Sequence, residues 1–352
     1  MSSIEKEENR GNKPVSLDSY FQGLPNSLNF ARAILALVVC ISHVGWIYGR
    51  DNYQLRSLGV YSVAVFFGLS GFLIYQSSMT SHGVFTFGLK RVRRIFPAFA
   101  LVLASTSLIY YPLYIYISTG SLVDVNNTQQ LAYFFENLSL NIFKPEISNS
   151  LEYSGTTVWN PSLWTLKFEF LLYFVCYFMS RILRSVSKIV VPILAMLCAV
   201  TASTLQSSNL LFEVTYLAQF FFLGMSIWLY RARLFASTYI ISLIMVGLVF
   251  SYFVIGEFFF TASFLILITL LFCIKVRIPY FKKIDYSYGI YLHAGPVTHL
   301  VVLMTLKAEI SLWLTYALST TLTIVAGSLS WHLVESRFTN RVIRRKSDQS
   351  SV

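Results

Sequence analysis

"ARAILALVVCISH", residues 31–43, is an apolar stretch with Arg32 near one end and His43 at the other. In an α-helix, eleven steps of 100° bring His43 to within about 20° of the face that carries Arg32, about 16 Å further along the axis. A charged or ionisable side chain is costly inside a bilayer and usually faces a cavity or a partner. The stretch therefore predicts a membrane-spanning helix that presents two polar groups on one face.

Apolar stretches of this kind recur along the whole chain. Of its 352 residues 55% are hydrophobic and only 12% are charged, and the mean hydropathy is +0.62, whereas soluble proteins are about 25% charged. We predict an all-α polytopic membrane protein with about ten transmembrane helices. The predicted spans are 27–47, 58–77, 95–117, 161–180, 189–205, 212–230, 236–255, 258–274, 286–306 and 310–332.

The basic residues predict the orientation. With these spans, 21 Lys and Arg residues fall on one side and four on the other, which by the positive-inside rule gives cytoplasmic N- and C-termini. The net charge of +11 thus reflects topology, and we expect no nucleic-acid partner. The chain divides into an N-terminal tail (1–26), one transmembrane domain (27–338) and a basic C-terminal tail (339–352).

Two further sequence features concern the N-terminal segment and the cysteines. The polar first 27 residues lack the pattern of a removable signal peptide. All four cysteines lie in apolar segments without C-x-x-C spacing, so we expect neither disulfides nor a metal site.

One long segment, the outer loop (residues 118–160), faces away from the cytoplasm in this topology. It is interpreted either as part of a binding site for a hydrophilic acceptor or as a solvated connector.

His43 and Glu169 are predicted at similar depth in the outer half of the membrane. A carboxylate that orients an imidazole and raises its basicity is what a general base needs to take a proton from a hydroxyl. The pair is therefore a candidate catalytic dyad. The alternative, equally favoured by spacing alone, is that each side chain has another polar partner in a packed bundle.

A basic cluster lies at the cytoplasmic side of the third predicted span. "FGLKRVRRIFP", residues 87–97, places Lys90, Arg91, Arg93 and Arg94 before a helix predicted to begin near Pro97. Guanidinium groups suit phosphate because each donates two charge-assisted hydrogen bonds. Taken alone, however, such a cluster more often sets topology or contacts anionic lipid.

Three other sequence patterns favour a role in helix packing or at the membrane interface over a direct role in catalysis. In "VFFGLSGFLIY", residues 65–75, the small residues around Ser70 allow close approach of a neighbouring backbone or a thin ligand. In "DYSYGIYLHAGP", residues 285–296, Asp285 and His293 are interpreted as interfacial or packing residues. The same interpretation applies to His332 and Glu335 in "SWHLVESRF", residues 330–338.

Together these stretches resemble the acyltransferase family 3 membrane proteins. "LNFARAILALVVCISH" (28–43) is similar to the family's Arg, ten residues, His motif, and "VAVFFGLSGFLI" (63–74) to its FFxxSGFL stretch. "RVRRIFP" (91–97) resembles its RxxR segment, and "SLWTLKFEFLLY" (162–173) its W-x-L-x-x-E-x-x-x-Y segment. "SYGIYLHA" (287–294) and "HLVESRF" (332–338) resemble its closing patterns, with Ala294 as a departure that makes a catalytic His293 doubtful.

The resemblance implies an acyl-coenzyme A donor, and acetyl-CoA in particular, on the cytoplasmic side. If the family's residue roles apply to the matching positions of this sequence, Arg91 and Arg94 hold the donor's phosphates and Arg32 lines the path of the pantetheine arm. His43 meets the thioester, Glu169 orients His43, and Ser70 stabilises charge on the carbonyl oxygen. Two chemistries stay open: direct transfer with His43 as base, or transient acylation of His43.

The leading function hypothesis is an O-acetyltransferase of a bacterial inner membrane. It would modify a hydroxyl of a surface polysaccharide or lipid-linked glycan. The alternatives are transfer of a succinyl or other acyl group to peptidoglycan or a periplasmic glucan, and a glycan transporter or flippase. Many relatives carry a fused periplasmic domain, which this chain lacks, so a separate partner is an open alternative. Membrane lipid is an expected partner, and the oligomeric state is left open.

Overall fold

The computed structural model describes residues 27–205, 209–231, 246–247, 249–282 and 284–339. Within these ranges the regular secondary structure is helical, in agreement with the predicted all-α class. The named helices are α1 Leu28–Ile47, α2 Tyr53–Met79, α3 Val84–Ser105, α4 Tyr111–Thr119, α5 Asn127–Asn137, α6 Leu166–Ile182, α7 Ser187–Thr204, α8 Leu210–Tyr230, α9 Glu257–Lys275, α10 Ser287–Lys307 and α11 Leu312–Ser330. Five-residue π-helical turns follow α3 (Thr106–Tyr110) and α11 (Trp331–Glu335).

Eight helical segments of the described chain are long and apolar enough to cross a membrane, and the polytopic class is confirmed. They are Leu28–Ile47, Tyr53–Met79, Val84–Thr119, Leu163–Ile182, Ser187–Thr204, Leu210–Tyr230, Ser287–Lys307 and Leu312–Thr339. Each coincides with a predicted span. The predicted span 258–274 matches a shorter apolar helix, Glu257–Cys273. Most of the predicted span 236–255 lies outside the described residues, as do the tails 1–26 and 340–352.

The helix ends meet as the predicted topology requires. At one end, the Lys307 ammonium donates to the carbonyls of Ile117 and Ser118, both at 2.6 Å. At the opposite end, the Ser27 hydroxyl donates to the Val276 carbonyl at 2.5 Å, and the Asn29 amide to the Phe281 carbonyl at 2.9 Å. We call the first the loop end, because the outer loop lies there, and the second the basic end.

The third span begins earlier than predicted. The sequence places the start of its helix near Pro97, but α3 begins at Val84 and continues through Pro97. A proline in a helix removes one backbone donor, and here the flanking turns persist. The basic cluster at 90–94 is therefore helical, and its side chains are placed by the helix period.

The segment before α6 enters the bundle. Trp159 is fully buried, and the Asn160 amide donates to the Leu292 carbonyl in the first half of α10 at 2.7 Å. Pro161 packs against Gly295 so closely that a Cβ on that glycine would overlap it. Irregular backbone at this depth is tolerated where it is buried in protein or lines a cavity. The solvated-connector interpretation of the outer loop is therefore wrong for its last residues.

Close packing of α2 on α8 explains the small residues near Ser70. A Cβ at Gly71 would overlap the Phe221 backbone, and one at Gly224 would overlap the Gly68 backbone. Contacts this close exclude any larger residue at these positions. Ser70 remains oriented toward the interior of the bundle, where the cavities lie.

Candidate active site

Three neighbouring cavities run through the helix bundle from the basic end to the loop end. The basic cavity, of about 240 Å³, is lined by Lys90, Arg91, Arg93 and Arg94 among others. The middle cavity has about 30 Å³, and the outer cavity about 450 Å³. Arg32 and Ser70 line both the basic and the middle cavity, and Val63 lines both the middle and the outer cavity. The cavities therefore form one row.

Arg91 is firmly held at the wall of the basic cavity. Its guanidinium carbon lies 5.4 Å from the centre of the Phe87 ring and 5.7 Å from that of Tyr173. One terminal nitrogen donates to the Ser77 hydroxyl at 3.0 Å, while Nε is buried and has no hydrogen-bond partner. A buried unpaired donor on a charged group is costly unless a ligand satisfies it. Arg91 is thus held in one geometry, with one buried donor that has no protein partner.

Arg32 and Arg94 are both tied to Asp285. Arg32 Nη1 donates to Asp285 Oδ2 at 2.9 Å, and Arg94 Nη2 forms a very short hydrogen bond with the same oxygen. The Asp285 side chain is only 6% exposed. Of the two interpretations of Asp285, packing agrees with the structure and an interfacial position does not, because Asp285 is a buried partner of two arginines predicted to lie in the donor site.

Glu169 lies in the middle cavity. Its Oε1 accepts a hydrogen bond from the Ser70 hydroxyl at 3.3 Å and a very short one from the Tyr173 hydroxyl. Phe66, Tyr288 and other aromatic side chains complete the lining. A cavity of this size holds about one or two water molecules. The middle cavity is therefore a narrow constriction between the two larger cavities, and the Glu169 carboxylate lies in it.

His43 lies in the outer cavity. Its ring centre is 6.2 Å from that of Trp46, and its Nδ1 is buried without a hydrogen-bond partner. Arg56, Asn160 and Trp164 line the same cavity. As the spacing in α1 predicts, Arg32 and His43 both line the cavity row, Arg32 toward the basic end and His43 toward the loop end. The imidazole of His43 thus borders the outer cavity, and its Nδ1 is not committed to a partner within the protein.

The predicted His43–Glu169 contact is not formed. Glu169 pairs with Ser70 and Tyr173 in the middle cavity, whereas His43 lines the outer cavity. The prediction started the span at the membrane surface, so that Glu169 would lie about 10 Å deep. Because Asn160 and Pro161 already enter the bundle, α6 begins within it and carries Glu169 further toward the basic end.

The other described histidines in the transmembrane region have structural partners. His293 Nδ1 lies 3.0 Å from the Tyr110 hydroxyl, whereas its Nε2 is buried without a hydrogen-bond partner, and neither His293 nor Tyr110 lines one of the three cavities. His299 is bonded through both ring nitrogens, to the Ser154 hydroxyl and the Val158 carbonyl. His332 Nε2 lies 3.0 Å from the Tyr286 hydroxyl at the basic end. The expectation that His293 is not catalytic agrees with this arrangement.

Asp285 and Tyr173 are the site residues that sequence reasoning missed. Asp285 lies two residues before the "SYGIYLHA" segment, and Tyr173 closes the "SLWTLKFEFLLY" segment. For Asp285 a signal was present in the sequence, since a buried arginine requires a buried counter-ion. The burial of Glu335 was missed as well: it is 3% exposed, accepts from Ser330 at 2.8 Å and has one oxygen without a partner, but it lines none of the three cavities.

The helical bundle and its row of polar cavities define a multi-pass membrane protein with an internal site. Residues 26–332 match the model of acyltransferase family 3, described as an acyltransferase domain. The chain belongs to this family and is an acyltransferase. It is also 28% identical over 333 residues to a protein of Shigella phage Sf6 named O-acetyl transferase, covering 90% of this chain and 96% of that protein. No solved structure matches it.

Proposed function

We propose that the protein transfers an acetyl group from cytoplasmic acetyl-CoA to a hydroxyl of a surface polysaccharide or lipid-linked glycan. The reaction would take place within a bacterial inner membrane, with the acceptor on the outer side. One observation carries the proposal: the row of cavities runs from a cluster of arginines to an imidazole, and adjacent cavities share lining residues.

The basic cavity supports a phosphorylated donor. Arg91 offers a buried, unpaired Nε, and Lys90 and Arg93 add positive charge to the same lining. Charge-assisted hydrogen bonds to phosphate are among the strongest polar contacts in proteins. Coenzyme A joins such phosphates to a thin flexible arm, and Arg32 and Ser70 line the way from the basic cavity to the middle one.

The middle cavity would act as a gate on the path of the acyl group. It is too small in this state for an acyl chain, so passage requires aromatic side chains such as Phe66 to move. The Glu169 carboxylate, held by Ser70 and Tyr173, faces this path. We assign Glu169 to the electrostatics of the passage. The Ser70 hydroxyl would release its hydrogen bond to Glu169 and donate instead to the carbonyl oxygen of the thioester.

The outer cavity supports a hydrophilic acceptor. Its volume falls in the usual range of ligand sites, about 300–1,000 Å³. Trp46 and Trp164 offer flat apolar surfaces on which the C–H face of a sugar ring packs, and Asn160 and Arg56 offer polar groups. His43 would deprotonate the acceptor hydroxyl, which attacks the thioester carbonyl and forms the ester while the C–S bond breaks and coenzyme A leaves as its thiol. Alternatively, the imidazole would displace coenzyme A from the thioester and then pass the acetyl group to the hydroxyl. The phage relative's printed name, O-acetyl transferase, favours an oxygen acceptor.

The function is tested by reconstituting the purified protein in lipid vesicles. We expect acetyl label from acetyl-CoA, supplied on the side of the basic end, to reach a glycan supplied on the side of the loop end. Succinyl-CoA as donor and peptidoglycan fragments as acceptor test the alternative substrates. Movement of intact glycan across the vesicle membrane without acetylation would instead identify a flippase and contradict the proposal.

A further inference from the structure

We propose that Asp285 is a positioning residue of the acyl-transfer reaction. It would hold Arg32 and Arg94 at the junction of the basic and middle cavities, so that Arg32 meets the acyl donor where its arm leaves the phosphate site. This inference rests on the proposed function, because it gives a role to the donor path described there. It adds a residue for which the family resemblance implies no role.

The Asp285 carboxylate joins three helices. Its Oδ2 accepts hydrogen bonds from Arg32 of α1 and Arg94 of α3. Its Oδ1 accepts from the Ser287 backbone N–H, at 3.2 Å, and from the Ser287 hydroxyl at the start of α10. Both oxygens are thus occupied and the carboxylate cannot rotate freely. Its position fixes the position of both guanidinium groups.

Asp285 separates two like charges, those of Arg32 and Arg94. Arg32 and Arg94 would repel each other in this low-dielectric region without the carboxylate between them. Each arginine side chain also has about 2 kcal/mol of rotamer entropy to lose when it is held in one geometry. Asp285 supplies the interaction that offsets both costs, and it does so with a side chain that is 6% exposed.

The cavity lining distinguishes positioning from plain structural support. A purely structural ion pair would have no need to face the substrate path, but Arg32 lines both the basic and the middle cavity. Arg91 is held separately by Ser77, Phe87 and Tyr173. Phosphate binding through Arg91 is therefore independent of Asp285, whereas the alignment of the donor's reactive end depends on it.

Asp285→Asn is the informative variant, because it removes the charge and keeps the volume. We expect kcat to fall by about 10²-fold, the size of effect that a small misplacement of reacting groups produces. The KM for acetyl-CoA should change by less than about threefold, since uniform donor binding is preserved. Asp285→Glu, which restores the charge, should recover about tenfold of the lost kcat. The matched control is Glu309→Gln at the exposed turn between α10 and α11, outside the three cavities, which should leave both constants unchanged.

Ser287→Ala keeps the proposal testable if Asp285→Asn does not fold. It removes one hydrogen bond to the carboxylate and leaves no buried unpaired charge, and we expect kcat to fall about three- to tenfold at constant KM. Unchanged kcat in folded Asp285→Asn or Ser287→Ala protein would overturn the proposal, as would a rise in KM alone. If the unsubstituted protein transferred no acetyl group from acetyl-CoA to a glycan, the proposed function itself would fail. An active unsubstituted protein together with an equally active Asp285→Asn variant would remove only this inference.

Discussion

His43→Ala is expected to lower acetyl transfer by about 10²–10⁴-fold, the contribution typical of a general acid or base. The structure gives the reason: the imidazole lines the outer cavity and its Nδ1 is buried without a partner. Alanine removes the proton acceptor for the direct route and the acyl carrier for the covalent route. The measurement is initial transfer rate per molecule of folded, membrane-inserted protein.

Donor binding and a distant histidine serve as controls for this prediction. His43→Ala should bind acetyl-CoA with unchanged affinity, because His43 does not line the basic cavity. His82→Ala, at an exposed position outside the three cavities, should transfer acetyl groups at the original rate. A His43→Ala protein that retained transfer within about threefold of the original would remove His43 from the reaction.

Arg91→Ala is expected to weaken acetyl-CoA binding by about 10- to 100-fold, because hydrogen bonds to charged groups contribute about 1.5–3 kcal/mol. Its unpaired Nε and its fixed position between Phe87 and Tyr173 make it the arginine most ready for phosphate. Arg94→Ala is expected to combine weaker binding with slower transfer, since Arg94 is also tied to Asp285. Isothermal titration of purified protein with acetyl-CoA measures the first effect.

Arg184→Ala is the matched control for the loss of a positive charge. Arg184 is exposed beyond α6 and lines none of the three cavities, so acetyl-CoA affinity should be unchanged. Equal affinity losses in Arg91→Ala and Arg184→Ala would mean that the cluster attracts the donor only through general charge. No loss in Arg91→Ala would return the cluster to a role in topology.

Much of the bundle follows from local patterns. Apolar segments of membrane length predict spans because unsatisfied backbone groups are excluded from lipid, and nine of the ten predicted spans coincide with helices of the described chain. The eleven-residue spacing of Arg32 and His43 likewise depends only on helix geometry. For this reason the sequence correctly predicts that both face the interior of the bundle, where Arg32 lines the basic cavity and His43 the outer cavity.

The failures concern contacts between distant segments. The depth of Glu169 depends on Asn160 bonding to α10, more than 130 residues away, and no local pattern carries that information. The pairing of Asp285 with Arg32 and Arg94 spans 253 and 191 residues. The start of α3 was missed for a different reason: Pro97 reads as a helix start but lies inside the helix.

The proposed acetyl transfer depends on one path from the arginines of the basic cavity to His43. Cryo-electron microscopy of the protein with a non-transferring thioether analogue of acetyl-CoA tests it most directly. We predict that the analogue's phosphates lie against Arg91, its arm passes Arg32 and Ser70, and its acyl end points through the middle cavity toward His43. Phosphates bound away from the basic cavity, or an acyl end in a space closed off from His43, would contradict the account.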